Sequence, residues 1–174
     1  MAAVLRKGPA KDWIRVVQES TALIGGAISI MHTTTYQAGI QSILAIRDHP
    51  ERIAKSENLD SLLKDWTSPL TTASLINNRD SPEHRDTGAT YCSMDVLAST
   101  GKYENGKFTV PGLGLTFWYR PGTVIGLLGR IVRHGATAEG ERMVYTQYLR
   151  ETVLETLGVP EPGHVNISQF LDSI

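Results

Sequence analysis

The sequence predicts an α+β fold in which a helical layer precedes a core of jelly-roll type, a sandwich or barrel of short strands. Three observations carry this. Apolar residues in the first third recur at helical spacing, most clearly over 36–47 and 59–66. From residue 70 onward the period changes, and short apolar runs are broken by Gly, Pro and Asn-Gly; closely spaced strands with such punctuation close into sandwiches or barrels. At 174 residues, 41% hydrophobic and 20% charged, the chain is long enough and apolar enough to bury a core. One domain over 1–174 is expected, with 1–70 as mainly helical support containing one or two strands, 71–160 as the strand core and 161–174 as a tail.

Taken in order, a basic lead comes first, and Asp12 is expected to cap a short helix whose apolar face carries Trp13, Val16 and Val17. Residues 22–31 read as a buried strand, with Gly25-Gly26 as a bulge or a close backbone approach. Thr34 or Thr35 caps a helix over 36–47, in which Ile40, Ile43, Leu44 and Arg47 follow helical spacing. Asp48-His49-Pro50 ends it, because the residue before proline avoids the α region. His49 reads as a helix-end residue and His32 as structural. Residues 51–66 read as helical, with Leu59, Leu62, Leu63 and Trp66 as the buried stripe. Residues 73–77 form a strand.

The second half reads as a strand ladder. A strand over 91–97 leads to a turn-rich stretch, 101–107, where Asn105-Gly106 signals a hairpin. Strands follow over 108–110, over 113–119 with Leu115, Phe117 and Tyr119 on one face, over 123–128 and over 131–133. A loop over 135–141 turns the chain, and a last strand runs from Arg142. A helix over 151–157 ends at Gly158 with Pro160 behind it. The tail, with His164, Phe170 and Leu171, is expected to be docked or frayed.

A net charge of −1 argues against a broad cationic face for non-specific phosphate binding, though a local groove stays open. Cys92 is the single cysteine, so no disulfide partner is expected within the chain. The start shows no secretory signal, and the apolar run 22–31 is too short to cross a bilayer. No membrane association and an intracellular location, nuclear or cytoplasmic, are therefore expected.

The chemistry centres on Asn78-Arg79-Asp80-Ser81-Pro82-Glu83-His84-Arg85-Asp86. In an extended segment residues i and i+2 share a face, so His84 and Asp86 converge without a backbone bend. His134, in Arg133-His134-Gly135, is the third group paired with them. Two imidazoles and one carboxylate on one side of a cation leave positions open, the facial arrangement of non-haem Fe(II) oxygenases. A buried arginine in such a barrel needs an anionic partner, and a dicarboxylic cosubstrate would supply one, since guanidinium pairs bidentately with carboxylate. Arg150 is favoured for that role and Arg142 is the rival; their even spacing puts both on one strand face. Read alone, Arg150 is better taken as a surface residue at a helix N-terminus, paired with Glu151 or Glu155. Asn78 and Arg79 are further candidates for assisting the cosubstrate or reading substrate, and equally a turn-capping pair before Pro82; Arg85 is a candidate for contacting phosphate or a surface carboxylate.

These segments, together with Pro111-Gly112-Leu113-Gly114-Leu115-Thr116-Phe117, Pro121-Gly122-Thr123-Val124, Gly129-Arg130 and Tyr145…Tyr148-Leu149-Arg150, resemble the TET/base-J-hydroxylase branch of Fe(II)/2-oxoglutarate dioxygenases. The likeness spans roughly residues 10–160 and is nearest to the expanded fungal members. It implies a double-stranded β-helix (jelly-roll) core with N-terminal flanking helices, iron on His84, Asp86 and His134, and 2-oxoglutarate on Arg150. It also implies O2-dependent hydroxylation of a C–H bond, with methylated DNA carrying a flipped base as the expected partner. The sequence departs from the best-known members in lacking a large DNA-binding insert, a Cys cluster and a basic extension. The alternatives are the same chemistry on a small molecule or protein side chain, and a non-enzymatic jelly-roll binding module.

Overall fold

The computed structural model describes residues 8–53 and 59–164. The lead before Gly8 and the tail positions Phe170 and Leu171 lie outside the described residues, as does part of the 51–66 stretch. Helices α1 (Gly8–Val16), α2 (Gln18–Met31) and α3 (Thr33–Asp48), a 3-10 turn (Pro50–Arg52) and α4 (Leu59–Asp65) come first. Strands β1 (Thr72–Asn77), β2 (Ser81–His84), β3 (Asp95–Val110), β4 (Leu115–Trp118), β5 (Val124–Leu127) and β6 (His134–Tyr148) follow, then α5 (Glu151–Leu157). A second 3-10 turn, Pro111–Leu113, links β3 to β4.

Two long strands organise the barrel. The second half of β6 pairs with β1, while its beginning pairs with β2. The first part of β3 pairs with β5 and its end with β4, and β3 and β6 pair along most of their length. The six strands thus supply two four-stranded layers, β1–β6–β3–β5 and β2–β6–β3–β4, with β3 and β6 passing from one layer to the other. This is the antiparallel jelly-roll core expected of a double-stranded β-helix, with helices ahead of it in sequence.

The passage between layers explains where the turn signals went. Asn105-Gly106 makes no hairpin; β3 continues through it, with Asn105 at φ 51° and a register shift against β6 between Glu104 and Lys107. Gly106 is needed there because a Cβ would strike the Tyr119 carbonyl, and the Tyr119 N–H donates to the Gly106 carbonyl at 2.8 Å. Nor does 135–141 form a loop: β6 is continuous. Gly101 and Gly140, at φ 122° and 110°, bend the two strands together, and a Cβ on either would meet the other strand's backbone. Glycines read as turn formers are therefore bend points in paired strands.

Other expectations are corrected as well. Residues 22–31 lie in helix α2, not a strand: Thr21, Ile24, Gly25 and Ile28 form its buried stripe. Gly25 of α2 and Gly39 of α3 face Pro69, where a side chain on either would collide with it. Asp12 lies inside α1 rather than capping it. His32, not a threonine, caps α3, its ring accepting from the Thr35 N–H at 3.3 Å. Residues 131–133 are turn, and the strand expected from residue 91 begins at Asp95. Leu115 and Phe117 stay 44% and 48% exposed, so only Tyr119 of that set is core.

Two apolar layers hold these parts. Ile24 and Ile28 of α2, Ala38 of α3 and Leu154 of α5 pack with Leu70, Val96 and Leu149 on the outer face of the sheet. Each fully buried aliphatic side chain there contributes roughly 1.5–3 kcal/mol. Inside the barrel, Phe108, Val110, Tyr119, Leu127, Ala136 and Val144 form a second cluster. Trp13 of α1 meets Tyr145 on the outer face of β6 edge-on, centroids 5.1 Å apart.

Candidate metal centre

β2 and β6 set the site by register. His84, the last residue of β2, stands directly opposite His134, the first of β6. Their rings lie 4.5 Å apart. Asp86 follows two residues after His84 and is held by its own N–H, which donates to the Gly129 carbonyl at 3.0 Å. Asp86 Oδ1 lies 3.3 Å from His84 Nε2, and Oδ2 lies 3.7 Å from His134 Nε2. Among the described residues, these three side chains form a group whose ligand atoms all fall within 4.8 Å of one another.

The chemistry of the donor set fits a cation. Nδ1 of His84 lies 2.8 Å from the Pro82 carbonyl, and Nδ1 of His134 lies 3.0 Å from the Val132 carbonyl. Each ring thus donates its Nδ1–H to the carbonyl two residues earlier, and in the neutral ring Nε2 carries the lone pair. Two such lone pairs then face a carboxylate with no hydrogen among them, and a cation resolves that juxtaposition. Phe108 stacks on His134 at 5.6 Å and fixes its plane. His134 is 3% exposed, whereas the His84 and Asp86 side chains are 44% and 37% exposed, so one side of the group opens outward.

The group borders a cavity of about 320 Å³, inside the range of roughly 300–1,000 Å³ ordinary for small-molecule sites. Both candidate arginines line it, but their environments differ. Arg142 is buried; its Nη2 donates to the Arg79 carbonyl at 2.5 Å, and its Nη1 is buried without a hydrogen-bond partner among the described residues. Asn78, at φ 47°, brackets the same residue: its Oδ1 accepts from the Arg142 N–H at 2.8 Å and its N–H donates to the Arg142 carbonyl at 2.7 Å. Arg150 is exposed at the N-cap of α5, pairs in a bridge with Ala89 and passes close to Gly88. Arg79 is exposed and contributes its carbonyl, while the exposed Arg85 donates from Nε to the Ile131 carbonyl at 3.0 Å.

Two lining residues were not singled out for chemistry by the sequence. Tyr119 is fully buried, and among the described residues its hydroxyl makes no hydrogen bond of ordinary geometry, although the Ser99 hydroxyl, bonded to Tyr103 at 2.6 Å, lies nearby. Burial pushes its pKa up to about 12 against the opposing Arg142 charge, so it stays a donor. The Arg142 guanidinium lies 5.9 Å from its ring centroid. Asp95 opens β3 and is 3% exposed; among the described residues its carboxylate oxygens make no hydrogen bond of ordinary geometry, although the Gly129 backbone lies near enough to favour the ionised form. Burial, then the charge of Asp86, raise its pKa to about 8, the Gly129 backbone opposing. An acidic residue at the head of the apolar run Asp95-Val96-Leu97 was the available signal for it; Tyr119 offered none beyond its place on an apolar face.

No helix of the described residues is long and apolar enough to cross a membrane. No curated protein matches the chain as a relative. The chain does match the TET/JBP family, described as the oxygenase domain of the 2OGFeDO superfamily, over residues 3–151. A match over most of the length, on a jelly-roll core with a His-Asp-His group at its mouth, makes the chain a member of that family and a dioxygenase using Fe(II), 2-oxoglutarate and O2.

Proposed function

We propose that His84, Asp86 and His134 hold the Fe(II), and that Arg142 with Tyr119 takes the far carboxylate of 2-oxoglutarate. The bond hydroxylated is in the methyl group of a methylated base in DNA, of the 5-methylcytosine type. One observation carries the reading: a single cavity is lined both by three converging metal donors and by a buried guanidinium nitrogen and phenol, each lacking an acceptor among the described residues. An unpaired buried guanidinium is costly, by several kcal/mol on general grounds, and a carboxylate offers two oxygens for the two donors. Arg150, favoured from sequence, meets water and has no such need.

The iron, when bound, couples oxidative decarboxylation of 2-oxoglutarate to hydroxylation of a nearby C–H bond. The chain's own residues do the rest. The Pro82 and Val132 carbonyls lock the imidazole tautomers, and the Asn78-Arg79 turn fixes the arginine that orients the cosubstrate. Phe108, Ala136 and Val144 wall the cavity and limit water. A base from a duplex reaches this cavity only when flipped out. Exposed Arg79, Arg85 and Arg150 stand ready for phosphates around it, and such a substrate goes with a nuclear or cytoplasmic setting.

A net charge of −1 favours a second reading, the same chemistry on a small molecule or protein side chain. The binding-module reading is dropped, since the family is one of oxygenases. The test is Fe(II)-dependent succinate formation with an oligonucleotide carrying 5-methylcytosine, followed by mass analysis of the base. Succinate together with an oxidised base is expected. Succinate with an unchanged base would move the substrate to the second reading.

A further inference from the structure

A second hollow opens beside the metal group, one that neither the iron nor the cosubstrate would occupy. This groove of about 480 Å³ is lined by Arg85, Asp86, Thr87, Tyr91, Arg130 and Ile131. It shares Asp86 and Thr87 with the cavity, so the two hollows meet on the outward side of the metal group. Part of its wall is a prepared aromatic surface. The Arg130 guanidinium lies over the Tyr91 ring, 3.9 Å from its centroid. Nη1 of Arg130 donates to the Ala89 carbonyl at 2.7 Å and to Glu151 Oε2 at 2.5 Å, which anchors the guanidinium to the start of α5. Tyr91 is thus backed on one face by a fixed cation, yet it remains 54% exposed. A ring held in this way loses little freedom when a second ring stacks on it. The groove also holds an uncommitted charge. Arg130 is paired with Glu151 and Arg133 with Glu83, whereas the exposed Arg85 has no acidic partner among the described residues. Its Nε donates to the Ile131 carbonyl at 3.0 Å, which fixes the side chain and leaves the Nη groups for a ligand.

We propose that this groove holds the nucleotide next to the reacting one: its base stacks on the open face of Tyr91, and its phosphate pairs with Arg85. The inference rests on the nucleobase reading given above and extends it from one flipped base to its neighbour on the strand. An aromatic face and a free cation, side by side in a groove, are the parts from which single-strand sites are built. Stacking accepts every base, since each has a π face, so the groove supplies hold and not sequence. The net charge of −1 is no obstacle, because the groove calls for one local cation and not for a cationic face.

The test uses the full chain loaded with Ni(II), which replaces Fe(II) so that no turnover occurs, and with 2-oxoglutarate. Two single-stranded oligonucleotides carry the same 5-methylcytosine and differ only in its two neighbours, which are ordinary bases in one and abasic sites in the other. The wild type is expected to bind the first about tenfold more tightly. Tyr91→Ala should lose about tenfold on the first probe and bind the two alike, with its salt dependence unchanged. Tyr91→Phe, which keeps the ring, should discriminate as the wild type does. Arg85→Met should keep the preference for neighbouring bases, while the slope of log affinity against log salt becomes shallower by about 0.7, the share of one phosphate on a single strand. A wild type indifferent to the neighbours, or a Tyr91→Ala protein that still separates the probes, would overturn the stacking assignment. An Arg85→Met protein with the wild-type slope would overturn the phosphate contact. A wild type that binds 2-oxoglutarate but neither probe would instead sink the nucleobase reading, and this inference with it.

Discussion

The two ends of the cavity are built on opposite principles. At the mouth, every imidazole is oriented by a backbone carbonyl, and the three donors already converge. Deeper in the barrel, Arg142 and Tyr119 are equally well positioned, but each retains a buried donor with no acceptor among the described residues. The mouth is organised before any ligand arrives; the deep end is organised around a group still to come. The difference is what supports the proposed parts: donors that converge without hydrogens among them suit a cation, and buried hydrogens without acceptors suit an anion.

The sharpest way to break this contrast is to remove the charge that joins the two imidazoles. Asp86→Ala should weaken metal binding by at least about a hundredfold, beyond the effect of losing an outer partner, and should stop succinate formation. Metal titration of the folded variant checks it, and near-normal affinity would dismantle the mouth. Next comes the deep end. Arg142→Met should raise the KM for 2-oxoglutarate by about 10- to 150-fold, the worth of hydrogen bonds to a charged group. Arg150→Met should change it less than about threefold. A reversal of those two results would return the cosubstrate to Arg150. Tyr119→Phe should cost about tenfold in the same KM, with kcat little changed.

A smaller effect separates Asp95 from both ends. Its folded pKa is raised, so in the metal-free protein it favours folding only where the unfolded chain is also protonated. As pH climbs from about 4, the unfolded state releases this proton and the folded state does not, so stability falls until about pH 8. Asp95→Asn cannot ionise there and should escape the loss. Its melting temperature should exceed the wild type's by several degrees more at pH 9 than at pH 5. An unchanging gap between the two proteins would show that the carboxyl is not held neutral by burial.

Much of the candidate site's geometry was readable in advance because strand geometry is local. His84 and Asp86 lie two apart, and period two puts them together whatever the rest of the fold does. Opposing His134 to His84 needed only that both sit at strand ends. The burial that sets Arg142 apart from Arg150 was not readable, since it depended on whether 135–141 turned or ran straight. Gly135 and Gly140 look like loop residues in sequence, yet Gly140 bends a paired strand that buries Arg142. In the same way, Gly25-Gly26 amid Ile and Leu imitates a buried strand, although Thr21, Ile24 and Ile28 already held helical spacing. A glycine's purpose was decided by a neighbour remote in sequence: Pro69 for Gly25, the Tyr119 carbonyl for Gly106.

The most direct measurement is an anaerobic titration of the metal-free chain with Fe(II), set beside the same titration of His134→Ala. One ion per wild-type chain is expected, with no saturable binding in the variant while its circular dichroism stays that of the folded protein. A folded His134→Ala protein that takes up one Fe(II) as tightly as the wild type would contradict the metal centre described above.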